Sequence, residues 1–276
     1  MTRTWAVCKR EFSGYFNTPV GYVVLSTYAL IAGIGFTASL IFYATMTTSP
    51  SNYGYAVVPD FEETFFSPFI VYSATIVMFI GPLVTMRLFA GERNKRTDEL
   101  LFTHPLRDRD IVFGKYFASL GLLLVLMTVI AVHVLIVHYF VDVEPAVLGF
   151  GLVTLFLAGA AFLSLGLFVS SVCRSQVTAA AATFGVFFVM YLMGNIAGEF
   201  SADSPVPAGW PESIRVPLES GYGILRAIVI ELPLDRHAKL MAQGVVLISD
   251  VVYYLLFIAF FLFLTFRALE WRRWSA

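Results

Sequence analysis

Apolar residues run through this chain in long unbroken blocks rather than alternating with polar ones. No charged residue occurs between Glu11 and Asp60, and Pro19 to Thr45 within that stretch is continuously apolar or small. A bilayer core of about 30 Å needs roughly 20 helical residues, so a membrane-spanning helix is expected over 19–45. The same criterion predicts further spans over 66–90, 113–141, 146–173, 175–198 and 244–268. Arg174 alone separates the fourth span from the fifth, which calls for a tight hairpin, and the sixth carries Asp250 near its outer end. Buried helices of a soluble protein are excluded, because a chain this size cannot cover so much apolar surface with itself.

The connections carry patterns of their own. In residues 3–17, Trp5, Cys8, Phe12, Tyr15 and Phe16 recur at helical spacing opposite Arg3, Arg10, Ser13 and Asn17. This predicts an interfacial helix lying apolar side down on the inner leaflet, ended by Pro19. Residues 91–112 form the longest polar connection on that side. Thr97 can cap a short helix there, with Asp98 and Glu99 in its first turn and Pro105 stopping it after His104. Exposed Leu100, Leu101 and Phe102 would make that helix a docking knob; the alternative reading of the segment is a basic anchor with nothing attached. Residues 199–243 are rich in proline at first, then repeat Leu218, Tyr222, Leu225, Val229 and Leu232 at helical spacing, which predicts a second interfacial helix on the outer leaflet.

Composition agrees and adds orientation. The 276 residues are 58% hydrophobic and 13% charged, against about 25% charged in ordinary soluble domains, which excludes a disordered chain, a disulfide scaffold and a nucleic-acid-binding surface. The net charge of −1 hides an asymmetry. Of the 18 basic residues, all but Arg215, Arg226, Arg236 and Lys239 fall on the side holding the N-terminus, the 91–112 connection, Arg174 and the C-terminus. The opposite loops carry Asp60, Glu62, Glu63, Asp142 and Glu144 without Lys or Arg. Positive-inside bias therefore predicts both termini in the cytoplasm and an even number of spans. A cleavable signal peptide is not expected, since the first apolar block is too long for one. Residues 1–276 thus read as a single all-α polytopic membrane domain.

Catalytic chemistry finds no constellation. No phosphate-binding G-x-x-x-x-G-K-[ST] occurs, so nucleotide would have to be bound elsewhere. His133 and His138 are about 140° apart around a helix and do not converge on a metal. Glu62-Glu63 lacks protease partners. Cys8 and Cys173 sit on the reducing side and predict no disulfide. Asp250, the one ionisable residue inside a plausible span, is a candidate polar site, although its shallow depth favours simple hydration. Gly159, Ala160, Ser164, Gly166 and Ser170, then Ala179, Thr183 and the Gly194/Gly198 pair, permit close helix packing, either within the chain or across a dimer seam.

Several motifs are familiar. Lys9-Arg10-Glu11-Phe12, Tyr15-Phe16, Thr18-Pro19 and Tyr22-Val23 open the chain. Pro82-Leu83, Met86-Arg87-Leu88-Phe89-Ala90, Glu92-Arg93, Thr97, Glu99-Leu100-Leu101, Thr103, Pro105 and Gly114-Lys115 follow the second span. Asp250-Val251-Val252-Tyr253-Tyr254-Leu255 and Leu269-Glu270 with Arg272-Arg273-Trp274 lie near the end. Together they resemble the permease subunits of type-2 ABC exporters, in the branch associated with gliding motility and nitrous oxide reductase maturation. Gly91 and Arg96 depart from that pattern, which usually has a second acid and a glycine there.

The resemblance implies a non-enzymatic permease of a bacterial or archaeal inner membrane. It would pair with a second permease subunit, the same or different, and would be driven by a cytoplasmic ATPase that binds ATP and Mg. The 91–112 connection would carry the coupling helix, with Glu92, Arg93, Thr97, Glu99, Leu100, Leu101 and Pro105 meeting the ATPase. Leu100 and Leu101 would fill its groove, Arg93 and Glu99 would make rim ion pairs, and Lys9, Arg10, Glu11 and Phe12 would belong to the interfacial helix, with Lys9 and Arg10 on anionic lipid. The competing reading is a membrane scaffold that recruits a cytoplasmic partner through residues 92–105 and moves nothing.

Overall fold

The structure is a computed structural model that describes residues 3–48, 60–94, 107–141, 143–196, 198, 200–201, 204–207 and 210–275. Its helices are α1 (Arg3–Phe16), α2 (Pro19–Thr48), α3 (Ser67–Thr85), α4 (Ala90–Asn94), α5 (Asp108–Phe140), α6 (Pro145–Val172), α7 (Gln176–Ile196), α8 (Glu212–Glu231), α9 (Leu234–Ala242) and α10 (Ile248–Ser275). Among the described residues there is no strand. Among the described residues, six helices are long and apolar enough to cross a bilayer: α2, α3 with its flanks, α5, α6, α7 and α10. The expected helical knob at Thr97–Pro105 lies outside the described residues.

Local sequence explains the interruptions. A π-helical turn, Glu62–Phe66, leads into α3 and stacks the Phe61 and Phe65 rings 4.8 Å apart. Pro82 cannot donate within α3, and the helix ends at Thr85. The hairpin between α6 and α7 is closed by Ser175 and Thr178, each of whose hydroxyls accepts the other's backbone N–H, at 3.2 and 3.4 Å. Gly244 takes a positive φ of 85° in the corner before α10, so α10 starts at Ile248 rather than at 244.

α3 and α6 form the centre. Their apolar windows are 67% buried, against 22% for α2, α7 and α10. The outward side chains of the peripheral helices, such as Leu30, Ile34, Leu135, Val177 and Leu256, are exposed, as lipid-facing positions should be. Small residues on α6 set the spacing. A Cβ on Gly166 would lie 2.5 Å from Oγ1 of Thr85, so the Thr85 side chain of α3 packs directly on the α6 backbone there. Ala160, Ser164 and Ser170 are also buried, so this small-residue face serves packing within the chain. On α7, Ala179 and Thr183 are buried, whereas Gly198 beyond its end has nothing within 4 Å of an added Cβ.

The two ends of the bundle differ. α1, α4, the α6–α7 hairpin and the C-terminal half of α10 share one end, where the Phe113 and Phe266 rings meet at 5.5 Å. The π-turn, Glu144, α8 and α9 occupy the other. The amphipathic α1 is present, but its apolar face is spent differently from expectation. Val7, Cys8 and Tyr15 are buried against protein, Phe12 packs on Gly121 of α5, and Trp5 alone among the five aromatic and thiol positions named is fully on the surface. A face that could lie in lipid instead covers α5, because protein and hydrocarbon satisfy it equally.

Because Gly166 has no room for a side chain, Gly166→Val should cost about 1–3 kcal/mol through forced separation of α3 and α6. This is measurable as a lower apparent Tm of the detergent-solubilised protein. Gly185→Val, which meets open space, should leave it unchanged.

Candidate coupling site

Where α1 crosses the start of α5, a side chain is excluded at Gly114, since its Cβ would lie 2.7 Å from that of Val7. The next residue, Lys115, is therefore enclosed, with no solvent exposure. Its ammonium donates to Glu11 of α1 at 3.0 Å, pairs with Glu92 of α4 at 3.0 Å and lies 5.2 Å from the centre of the Phe89 ring. Arg10 closes the set, donating to Glu11 at 2.6 Å and Glu92 at 2.8 Å. Two cations and two carboxylates from three separate elements thus form one cluster. Burial works against the charged form of Glu11, but the Lys115 and Arg10 cations outweigh it and hold its carboxyl below the usual glutamate value.

A second set of contacts fixes α4. The backbone N–H groups of Phe89 and Ala90, left without helical acceptors after α3 breaks, both donate to Oγ of Ser170 at 3.2 Å. The Arg93 guanidinium donates to the backbone carbonyls of Ser171, Val172 and Cys173. The last carbonyls of a helix have no partner within it, and a cation there also meets the negative end of the helix dipole. Beside the cluster, Arg87 donates to Oγ1 of Thr18 at 3.1 Å and Tyr15 donates to the Val84 carbonyl at 3.2 Å. A cavity of about 390 Å³ opens between Arg10, Tyr15, Arg87, Gly91, Glu92 and Gln176.

The residues singled out from sequence thus separate into groups. Glu92, Arg93, Arg10 and Glu11 come together, and their charges meet partners inside the chain: Arg93 faces carbonyls of α6 and Arg10 faces two carboxylates. Lys9 is exposed and Phe12 lies on α5. Thr97, Glu99, Leu100, Leu101 and Pro105 lie outside the described residues. Sequence reasoning missed the burial of Lys115, although a tiny neighbour at 114 and a helix crossing were the available signal.

At the opposite end Asp250 meets a protein partner. It is buried, and its Oδ1 lies 2.8 Å from Nδ1 of His237 on α9. The other ring nitrogen lies 3.2 Å from the carbonyl of Glu231. The imidazole stacks on Tyr253 at 4.1 Å, and the hydroxyls of Tyr253 and Tyr254 donate to the carbonyls of Leu232 and Leu234. The α8–α9 corner is thereby clasped to α10. An ionisable residue in a span demands a partner, and the expectation of simple hydration overlooked His237 of the 199–243 segment.

Six bilayer-length helices, an amphipathic helix packed at one end and two short polar clusters at the ends define a multi-pass helical membrane protein. Residues 5–215, well over half of the chain, match the model for the ABC-2 family transporter protein, and the chain belongs to that family. It is accordingly a membrane permease subunit of an ABC transporter, a transport component that is not itself catalytic; such permeases generally work with a cytoplasmic ABC ATPase. No curated protein matches the chain.

Two outcomes follow from the buried cluster. Lys115→Met should destabilise the protein by about 3 kcal/mol, the low end for removing one partner of a buried pair because Arg10 still serves both carboxylates. The combined Glu11→Gln, Lys115→Met, Glu92→Gln variant should recover most of that loss, as chemical denaturation in detergent can measure. A depressed carboxyl contributes stability above its ordinary value, about 4.3, and loses it as pH falls through the folded value. The apparent Tm should therefore fall on acidification below about pH 4, and Glu11→Gln should flatten that fall.

Proposed function

We propose that this chain is the membrane half of an ATP-driven exporter of the gliding-motility and nitrous oxide reductase maturation branch, set in a bacterial or archaeal inner membrane with both termini in the cytoplasm. A separate ATPase binds ATP and Mg, and its closure acts on the segment from Glu92 to Pro105 and on α1. Two permease subunits, the same or different, then rock about their interface. The observation that carries this reading is the Arg10–Glu11–Glu92–Lys115 cluster. It joins the root of the polar connection to the surface helix and to a membrane span, so a push on the connection is delivered to spans rather than absorbed by a loop. Arg93, capping α6, delivers the same push to the centre of the bundle. Such a transmission needs an element with two arrangements whose balance nucleotide shifts, and α1 with α4 is the body that both partners touch.

The charge distribution supports the sidedness: the basic end holds α1, α4 and the α6–α7 hairpin, and the acidic end holds Glu62, Glu144 and the α8–α9 corner. The outer clasp of His237 on Asp250 makes that corner part of the permease body.

Purification from native membranes tests the reading directly. An ATPase and a second permease subunit should copurify, and the complex should hydrolyse ATP. Leu100→Asp with Leu101→Asp should abolish ATPase copurification while the chain still inserts in the membrane; retention of the ATPase by that variant would overturn the docking role. A partner recovered without ATP hydrolysis would favour the scaffold reading.

A further inference from the structure

A second cavity, about 740 Å³ in volume, opens sideways between α2, α3, α7 and α9. Its volume falls within the range of small-molecule sites, about 300–1,000 Å³. Its surroundings are those of a membrane-facing opening: Leu30 and Ile34 on α2 and Leu192 on α7 are exposed beside it. The groove is polarised along its length. Ser67, Asn195 and Lys239 mark the end near the α8–α9 corner, and Ile76, Phe79 and Ile80 line the other. From Ser67 to Ile80 the α3 rise covers about 20 Å, slightly more than one leaflet of a hydrocarbon core about 30 Å thick.

Charge selects the occupant. Among the described residues lining this groove, Lys239 is the one that carries a charge, and its side chain is exposed. Its backbone is held in place at the mouth, because Oγ of Ser67 donates to the Lys239 carbonyl at 3.2 Å. The Asn195 amide, bonded to the Tyr191 carbonyl at 2.8 Å, adds a polar group at the same level. A cation at the edge of hydrocarbon is stabilised by an anion, and the apolar trough below it fits a hydrocarbon chain.

We propose that this groove binds an anionic lipid drawn from the bilayer, with one acyl chain along α3 between α2 and α7 and the negative headgroup at Lys239. A zwitterionic lipid fits less well, because its own cation competes with the ammonium for the phosphate. The binding is a property of the chain alone and does not rest on ATPase coupling; loss of the ATPase partnership would leave it intact.

The test is native mass spectrometry of the full chain, in whatever complex it purifies with, released from non-ionic detergent containing equal amounts of phosphatidylglycerol and phosphatidylcholine. The wild type should retain phosphatidylglycerol with about fivefold preference, the equivalent of about 1 kcal/mol for one cation at a membrane surface. Lys239→Glu, a change at an exposed side chain, should bring the ratio to one or below, and Val71→Trp should expel both lipids by filling the trough. Equal retention of the two lipids by the wild type, or a preference that survives Lys239→Glu, would overturn the proposal. So would quantitative disulfide dimerisation of a Val71→Cys variant in membranes, which would identify the groove as a contact between two copies of the chain.

Discussion

An ammonium group shut away from water is tolerated only where opposite charge is brought to it, and Lys115 imposes that demand on three elements. The desolvation penalty of a buried ion is several kcal/mol, so α1 and α4 cannot drift from α5 without exposing the cost. Glu11 and Glu92 supply the compensation, Arg10 balances their excess, and the crossing at Gly114 brings α1 close enough for the bonds to be made at 3.0 Å. The break after Thr85 has a place in the same scheme: it turns the chain so that Glu92 faces inward, and Ser170 accepts the amides that the break strands.

The middle of the bundle is organised by volume rather than charge. Thr154, Ser164 and Ser171 are buried on α6, yet each donates to a carbonyl of its own helix, so none requires a neighbour's polar group. Polar specificity is concentrated at the two ends, the Lys115 cluster on one and the His237–Asp250 clasp on the other, with Tyr116 of α5 donating to the Ala160 carbonyl of α6 between them. Between them, the contacts of α3, α5, α6 and α10 depend on small residues fitting against larger ones.

The spans were legible because each must satisfy the bilayer by itself: about 20 apolar residues are needed whatever the neighbours do. The amphipathy of α1 was legible for the same reason, but its target was not. An apolar stripe carries no mark that tells hydrocarbon from the flank of α5, and Phe12 met Gly121 instead of lipid. Ion pairing was beyond reach because it depends on residues far apart; Glu11 and Lys115 are separated by 104 positions. Arg93 illustrates a further limit, since its acceptors are backbone carbonyls, which every residue has. For Asp250, position in the span was readable, while its pairing with His237 depends on α9 being folded back over it. The π-turn at Glu62–Phe66 has no signature in composition at all.

The deep burial of most of α6 has a consequence for how such a protein diverges. A helix that faces lipid is constrained in polarity and nearly free in shape, so α2, α7 and α10 can exchange one large apolar residue for another with little penalty. α6 is under the opposite regime. Its serines and threonines show that polarity is negotiable there, whereas a single added methyl at Gly166 meets Thr85 at once. Substitutions should therefore accumulate at different rates around the bundle, slowest at the buried small residues of α6, whose neighbours are other helices rather than the membrane that defines the fold.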